Sequence, residues 1–322
     1  MDKKIKPTSV GGQAVLEGVM MKAGNRTVTT CRKSDGSLVV TDAEFNSVRK
    51  KHKILNLPII RGVVNFVEMM MLSVKTLGAS ADALGLEEEE GKFEKWLKEK
   101  MGVKATDFIM VIATVLGLFL SLLLFVWLPI GIAAGINLLL GLFGAEMGPV
   151  LTSVVEGVVK VGIFLGYLAL VSLMPDIRRT FMYHGAEHKS IACFEAGDEL
   201  TPENAMKHKR FHPRCGTSFM VIMLILGIVI GLFVPANPFG IAFLRPVFKI
   251  LLIPVTCGIG YELIKLCGKH DNWFTRIIAA PGLWAQRITT KEPDDSMIEV
   301  AIEAIKAVIP EDGSDIVNNC GC

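Results

Sequence analysis

The sequence predicts a membrane all-α protein. It reads as a polytopic helical bundle with about four transmembrane helices, a small N-terminal β-rich segment and cytoplasmic or interfacial helices. Three observations carry this. The 322 residues are 51% hydrophobic and only 20% charged, with a mean hydropathy of +0.47, too apolar for an ordinary soluble domain. Residues 108–145 contain no charged side chain. Further apolar runs at 150–174, 217–236 and 247–266 each approach the ~20 residues that cross a ~30 Å hydrocarbon core. The net charge of +2 gives no field that would favour nucleic acid as a partner. Seven cysteines without a regular spacing fit a reducing compartment rather than a disulfide framework.

Residues 1–53 form the expected N-terminal cytoplasmic β-rich segment. Met1–Pro7 is basic and no apolar run follows it, so a signal peptide is not expected. Arg26–Arg32 and Ser37–Thr41 alternate weakly, and Ser34-Asp35-Gly36 between them signals a hairpin, because glycine tolerates positive φ. Gly11-Gly12-Gln13 reads as a tight turn, with Glu17 as an additional ligand for any site nearby. The basic run Arg49–Lys53 is either a solvated cluster or a contact with anionic lipid headgroups.

Residues 54–105 are expected to be interfacial amphipathic helices. The helix over 58–78 starts at Pro58, and its charges Arg61, Glu68 and Lys75 recur every seven residues on one stripe. An acidic linker, Glu87–Glu90, leads to a lysine-rich stretch over 92–104.

Residues 106–174 make the first transmembrane hairpin. As a single helix, 108–145 would run about 57 Å, far beyond the hydrocarbon core. A break near Pro129 is therefore expected, with 108–127 crossing and 130–145 re-entrant or interfacial. Residues 216–267 make the second hairpin. Lys98, Lys100 and Lys104 before the first and Arg178 and Arg179 after it put both flanks in the cytoplasm, which requires an even number of crossings between them. Glu156 and Lys160, four apart, read as a neutralising pair or as an intramembrane functional site. Residues 268–322 are a cytoplasmic C-terminal tail. Trp273, Trp284, Arg276 and Arg287 suit an interfacial helix, residues 293–308 an amphipathic one, and Cys320-Gly321-Cys322 ends the chain.

The candidate chemistry lies in 175–215, read as a cytoplasmic His/Glu/Cys loop. His184 and His188 are at i and i+4, so on a helix both face one ion, with Glu187 beside them as the catalytic base. This is the H-x-x-E-H pattern, in which the glutamate polarises a metal-bound water. His208, His212 and Cys215 supply further donors. Imidazole and thiolate together make zinc, or another divalent transition metal, the expected cofactor. A four-ligand shell of His184, His188, His212 and Cys215 would be structural, whereas an open position with Glu187 free would be catalytic. The plainer alternative is a basic juxtamembrane loop that happens to hold histidines. Arg214 beside Cys215 also admits a reactive cysteine, and Cys193 among apolar residues reads as packing.

Four strings carry a family resemblance. They are Val10-Gly11-Gly12-Gln13-Ala14-Val15-Leu16-Glu17-Gly18-Val19-Met20-Met21, Met174-Pro175-Asp176-Ile177-Arg178-Arg179, Tyr183-His184-Gly185-Ala186-Glu187-His188-Lys189, and His212-Pro213-Arg214-Cys215-Gly216-Thr217. In these the chain resembles the YqhQ-like bacterial membrane proteins, a domain of unknown function labelled as metal-dependent enzymes, over most of residues 8–290. The resemblance implies a multi-pass protein of the bacterial inner membrane, supports a metal and names no substrate. The likeness to inverzincin peptidases covers five residues. Their third ligand is a more distant glutamate, and only Glu195, Glu199 and Glu203 lie nearby here. The expected function is a metal-dependent hydrolase at the cytoplasmic face. A non-enzymatic scaffold with a structural metal, or a small-solute transporter, are the alternatives.

Overall fold

The computed structural model describes residues 10–85, 104–235, 239, 244–270 and 272–309. The acidic Glu87–Glu90 run, nearly all of the 92–104 stretch and Cys320-Gly321-Cys322 lie outside the described residues. The described chain is mostly helical with one small sheet. It divides into two compact units, one of Met1–Gly85, Leu168–Leu226 and Ile253–Cys322 and another of Leu86–Tyr167 and Gly227–Leu252.

The first unit is built on an antiparallel meander in the order β1-β2-β3-β4. The strands are β1 (Gly11–Val15), β2 (Gly18–Ala23), β3 (Arg26–Arg32) and β4 (Leu38–Glu44). Gly11-Gly12-Gln13 is thus part of a strand, not a tight turn: it pairs with Met20–Lys22 across the hairpin. The turn is Leu16-Glu17, where Glu17 takes φ +46°. The expected hairpin at Ser34–Gly36 is present, closed by Asp35 accepting from the Ser37 backbone N–H at 2.8 Å.

Strand β2 is buried along its length because both faces of the sheet are covered. Its period-2 alternation sends Val19, Met21 and Ala23 to one side and Met20 to the other. The first side meets α5 (Pro175–Ala196) and α11 (Asp295–Val308), with Tyr183, Ala186, Met297, Ile298 and Ile305 in a shared core. On the second side Val15, Met20 and Cys31 cluster with Leu72 of α1 (Ile60–Ala83). Helix α11 buries Met297, Ile298, Val300, Ala301, Ile302, Ala304, Ile305 and Val308, a stripe repeating every three to four residues. The expected amphipathic helix over 293–308 is there, and it forms the core of the sheet unit rather than a peripheral tail.

Segment 175–215, expected to be a loop, is largely helical. Helix α5 opens at Pro175, whose missing N–H costs nothing at a helix start, with Asp176 in the first turn. It stops at Gly197, where φ is +69°. A short helix α6 (Pro202–Met206) follows, capped by Thr201. The first unit also holds the start of α7 (Gly216–Gly231), α9 (Ile253–Lys269) and α10 (Trp273–Thr289).

In the second unit the expected break at Pro129 is absent. Helix α2 (Lys104–Leu122) continues through a π turn, Leu123–Trp127, into α3 (Leu128–Gly141). Leu122 and Leu128 both keep helical backbone angles. Pro129 has no N–H for the carbonyl four residues earlier, and the π turn directly before it absorbs that mismatch. Asn137, the polar residue in this apolar helix, accepts from the Met147 N–H at 2.7 Å and ties down the following turn. Helix α4 (Pro149–Val171) and α8 (Leu244–Leu251) complete the unit. Glu156 does not pair with Lys160 as expected. It accepts from Arg245 at 2.6 Å and from Lys249.

Among the described residues, three helices are long and apolar enough to cross a membrane: Thr114–Gly141, Pro149–Val171 and Leu244–Cys267. The apolar helix Gly216–Gly231 is shorter.

Candidate metal centre

Helix α5 places His184, Glu187 and His188 on adjoining positions of one face, as the i, i+3, i+4 spacing requires. The chain then returns through 207–215 and brings Cys215 against them. The ligand atoms of His184, His188 and Cys215 all lie within 4.8 Å of one another. His184 Nε2 is 3.2 Å from Cys215 Sγ, and the two histidine rings stand 4.5 Å apart, edge to face.

Both rings are oriented from behind by backbone carbonyls. His184 Nδ1 donates to Thr289 O at 2.8 Å and His188 Nδ1 donates to Arg210 O at 2.6 Å. That orients both rings and leaves Nε2 as the nitrogen each can offer a ligand, with His184 Nε2 already turned to the Cys215 sulfur; metal-binding imidazoles are held from behind in the same way. Two nitrogens and a sulfur at this separation can close on one tetrahedral ion, with bonds of ~2.0 Å to nitrogen and ~2.3 Å to sulfur.

The electrostatics bias Cys215 toward its thiolate form. Burial would raise the Cys215 thiol, but His184 and His188 beside it hold it well below the usual thiol range. Burial opposes charge on His184, yet the neighbouring Cys215 sulfur outweighs it and pushes the imidazole up to about 9. A sulfur already biased toward thiolate is the form a metal takes. Burial raises the Glu187 carboxyl, although His188, His184 and the Gly12 N–H act the other way. Glu187 is 4% exposed, and its Oε2 has no hydrogen-bond partner.

The other expected donors fall outside this trio. His208 Nε2 faces Asp198 at 3.0 Å, ten residues back and one residue beyond the Gly197 that ends α5. His212 lies nearby, its ring 5.6 Å from that of His188, but its Nε2 is drawn toward Glu195 at 3.7 Å. Burial lowers its basicity. Glu195 also binds Arg214, so Arg214 is turned to a carboxylate. Glu17, the additional ligand suggested for the site, is held instead by Arg179 at 2.6 and 2.5 Å. Cys193 is fully buried in the core, as expected of a packing residue.

Several supports carried no signature in the sequence. Gln286 of α10 is fully buried; it accepts from the His212 N–H at 2.9 Å and donates to His212 O at 2.7 Å. Gly12 of β1 approaches so closely that a Cβ there would stand 2.5 Å from Met20 O and 3.1 Å from Glu187 Oε1. Gly185 touches the Lys291 backbone. Lys189 donates to Met206 O and His208 O, both at 3.0 Å, pinning the returning chain to α5. The small Gly185-Ala186 pair inside the motif was the one readable sign of a close backbone neighbour.

Residues 57–311 match the family described as "Protein of unknown function (DUF1385)". The chain is 33% identical over 315 residues to "Uncharacterized protein YqhQ" of Bacillus subtilis (strain 168), covering 96% of this chain and 95% of that one. No solved structure matches the fold. The strings that suggested YqhQ-like proteins, three of them around the His/Glu/Cys cluster and one on β1–β2, therefore identify the chain correctly: it belongs to the DUF1385 family.

Proposed function

We propose that this chain is a multi-pass protein of a bacterial inner membrane whose His184, His188 and Cys215 hold a zinc-type ion, with Glu187 as the base of a metal-dependent hydrolase. The observation that carries the reading is Glu187 itself. It is a buried carboxylate with one oxygen bonded to nothing, on the same helix face as two imidazoles and beside a thiol. An unpaired buried acceptor is costly, and a metal-bound water is the donor that would satisfy it. A zinc-type ion with three protein ligands supplies an activated water in its fourth position. His184, His188 and Cys215 would hold the ion, the Thr289 and Arg210 carbonyls orient the two imidazoles, and Glu187 would accept the proton of the water. His212 and His184 remain partly exposed, giving access from one edge.

The membrane reading rests on the three apolar helices and on the closed core of the first unit. The sheet, α5 and α11 share one core, so residues 10–45, 175–196 and 295–308 lie on the same side of any bilayer. Crossings between them must then come in pairs. Thr114–Gly141 and Pro149–Val171 are one pair, and Leu244–Cys267 requires Gly216–Gly231 as its partner. That helix has 16 residues, about 24 Å long, which a locally thinned bilayer accommodates. This supports four crossings. Arg178, Arg179 and the Arg49–Lys53 run favour the cytoplasm for this side, near anionic headgroups.

The test is metal analysis of the full chain purified in detergent. Wild type should carry about one equivalent of metal, lost in His184→Ala and Cys215→Ser. Glu187→Gln should keep the metal. With Co²⁺ in the site, the pH at which its visible spectrum shifts should move by about one unit in Glu187→Gln. An unmoved profile favours the non-enzymatic scaffold, in which His212, 5.6 Å from His188, swings in to close the shell. Absence of stoichiometric metal from wild type would sink both readings.

A further inference from the structure

We propose that the second unit contains a binding site for a phosphate-type anion, formed by Lys160 and Lys249 above the Glu156–Arg245 pair. Glu156 is 3% exposed and accepts from Arg245 Nη1 at 2.6 Å and from Lys249. Arg245 Nη2 donates to Ser153 at 2.9 Å, and its Nε is buried with no partner. Lys160 sits one helical turn beyond Glu156 on α4 and makes no hydrogen bond or ion pair with any described residue. Three cations thus surround one carboxylate, an excess of two positive charges. All four residues belong to helices that the membrane reading places in the bilayer.

An uncompensated charge in such a place is costly, and residues that persist there mark ligand sites. Glu156 already meets Arg245 and Lys249, so a further anion is what the cluster lacks. Lys160, Lys249, Glu156 and Ser153 line one narrow, partly open cleft, together with Pro129 and Ile228. Lysine ammonium groups are compact charges that suit phosphate oxygens, and a phosphate carries one to two negative charges to match the excess. Lys160 lies about 16 Å along α4 from Pro149, deep enough that the anion enters the protein rather than resting at its rim. A phospholipid headgroup and free phosphate present the same group.

The experiment uses the full chain in two arms. Wild type in phosphatidylcholine nanodiscs is titrated with inorganic phosphate and followed by ³¹P NMR. In parallel, native mass spectrometry compares phosphatidylglycerol and phosphatidylcholine retained after extraction from mixed vesicles. Saturable phosphate binding identifies a free anion, and selective retention of phosphatidylglycerol identifies a lipid headgroup. In whichever arm responds, Lys160→Met and Lys160→Gln should weaken binding about tenfold or more, and Lys160→Arg should retain it. Having two charge-removing variants guards against one that fails to fold. Failure of both probes to bind wild type, or wild-type binding in the neutral variants, would overturn the proposal. Metal content is measured on the same samples and should be unchanged by Lys160→Met, so this site and the metal centre stand or fall separately.

Discussion

Gly185 sits between a candidate ligand and the candidate base, and its missing side chain is what lets the C-terminal segment dock. A Cβ there would lie 2.0 Å from the Lys291 carbonyl oxygen, while the Lys291 N–H donates to Phe181 O at 2.8 Å. The obstacle is backbone held by its own hydrogen bond, so it cannot yield cheaply. Gly185→Ala should destabilise the chain by about 1–3 kcal/mol or more, read as a lowered Tm in detergent, and should weaken metal retention because Thr289 O moves away from His184. Glu17 is a second informative residue. It occupies the left-handed region at φ +46° because Arg179 grips its carboxylate and Tyr183 donates to it at 3.3 Å. The hydrogen bond from Arg179 holds the Glu17 carboxyl below its ordinary value. A depressed folded-state value means stability that is present above the unfolded value near 4.5 and lost as pH falls through the lower folded one. Wild type should therefore exceed Arg179→Ala in stability above about pH 4.5, with the gap closing on acidification. Both side chains are partly exposed, so the gap should be no more than about 1 kcal/mol.

At the scale of elements, α11 and α5 show how far periodicity carries. The apolar positions of 293–308 specify a helix with one buried stripe, and Asp294 caps it by accepting from the Met297 N–H at 2.9 Å. Nothing local says what covers that stripe. The covering surface is β2 and β3, some 270 residues away in sequence. Ile305 is fully buried there, and Ile305→Ala should cost about 2–5 kcal/mol, whereas Glu303→Ala, half-exposed on the opposite face, should be near neutral. Chemical denaturation of the purified pair of variants distinguishes them. For α5 the ligand spacing was legible because i and i+4 is a property of any helix. The helix itself was obscured by its polar composition and by histidine-rich motifs that resemble loop. Pro129 misled in the other direction: a proline in a long apolar run suggests a break, but the π turn before it takes up the unpaired carbonyl and the helix continues.

For the whole molecule, the core that joins the N-terminal sheet to the C-terminal helix constrains the path through a membrane. Accessibility tags in the 198–201 connection and just after residue 309 should report the same side, and a tag in the turn 142–148 the opposite side. A result placing 198–201 opposite residue 309 would break either the shared core or the crossing count. His208 and Glu17 could be excluded from the metal trio only by seeing Asp198 and Arg179 beside them, and Lys160 could be parted from Glu156 only by seeing Arg245 and Lys249 arrive from a distant helix.

The sequence by itself determined the local and one-dimensional properties: apolar runs of membrane-spanning length, the β-rich start, the i, i+4 histidines with their glutamate, and the family strings. These depend on composition and on spacing along one element, where a fixed rise and turn convert sequence into geometry. Tertiary structure alone decided which donors converge, what orients them and which charges pair. Cys215 reaches His184 because Gln286 fixes the His212 backbone and Lys189 fastens the return of the chain. Those contacts join residues tens to hundreds of positions apart, and their partners are often backbone carbonyls and amides, which every residue carries and no side-chain pattern reveals.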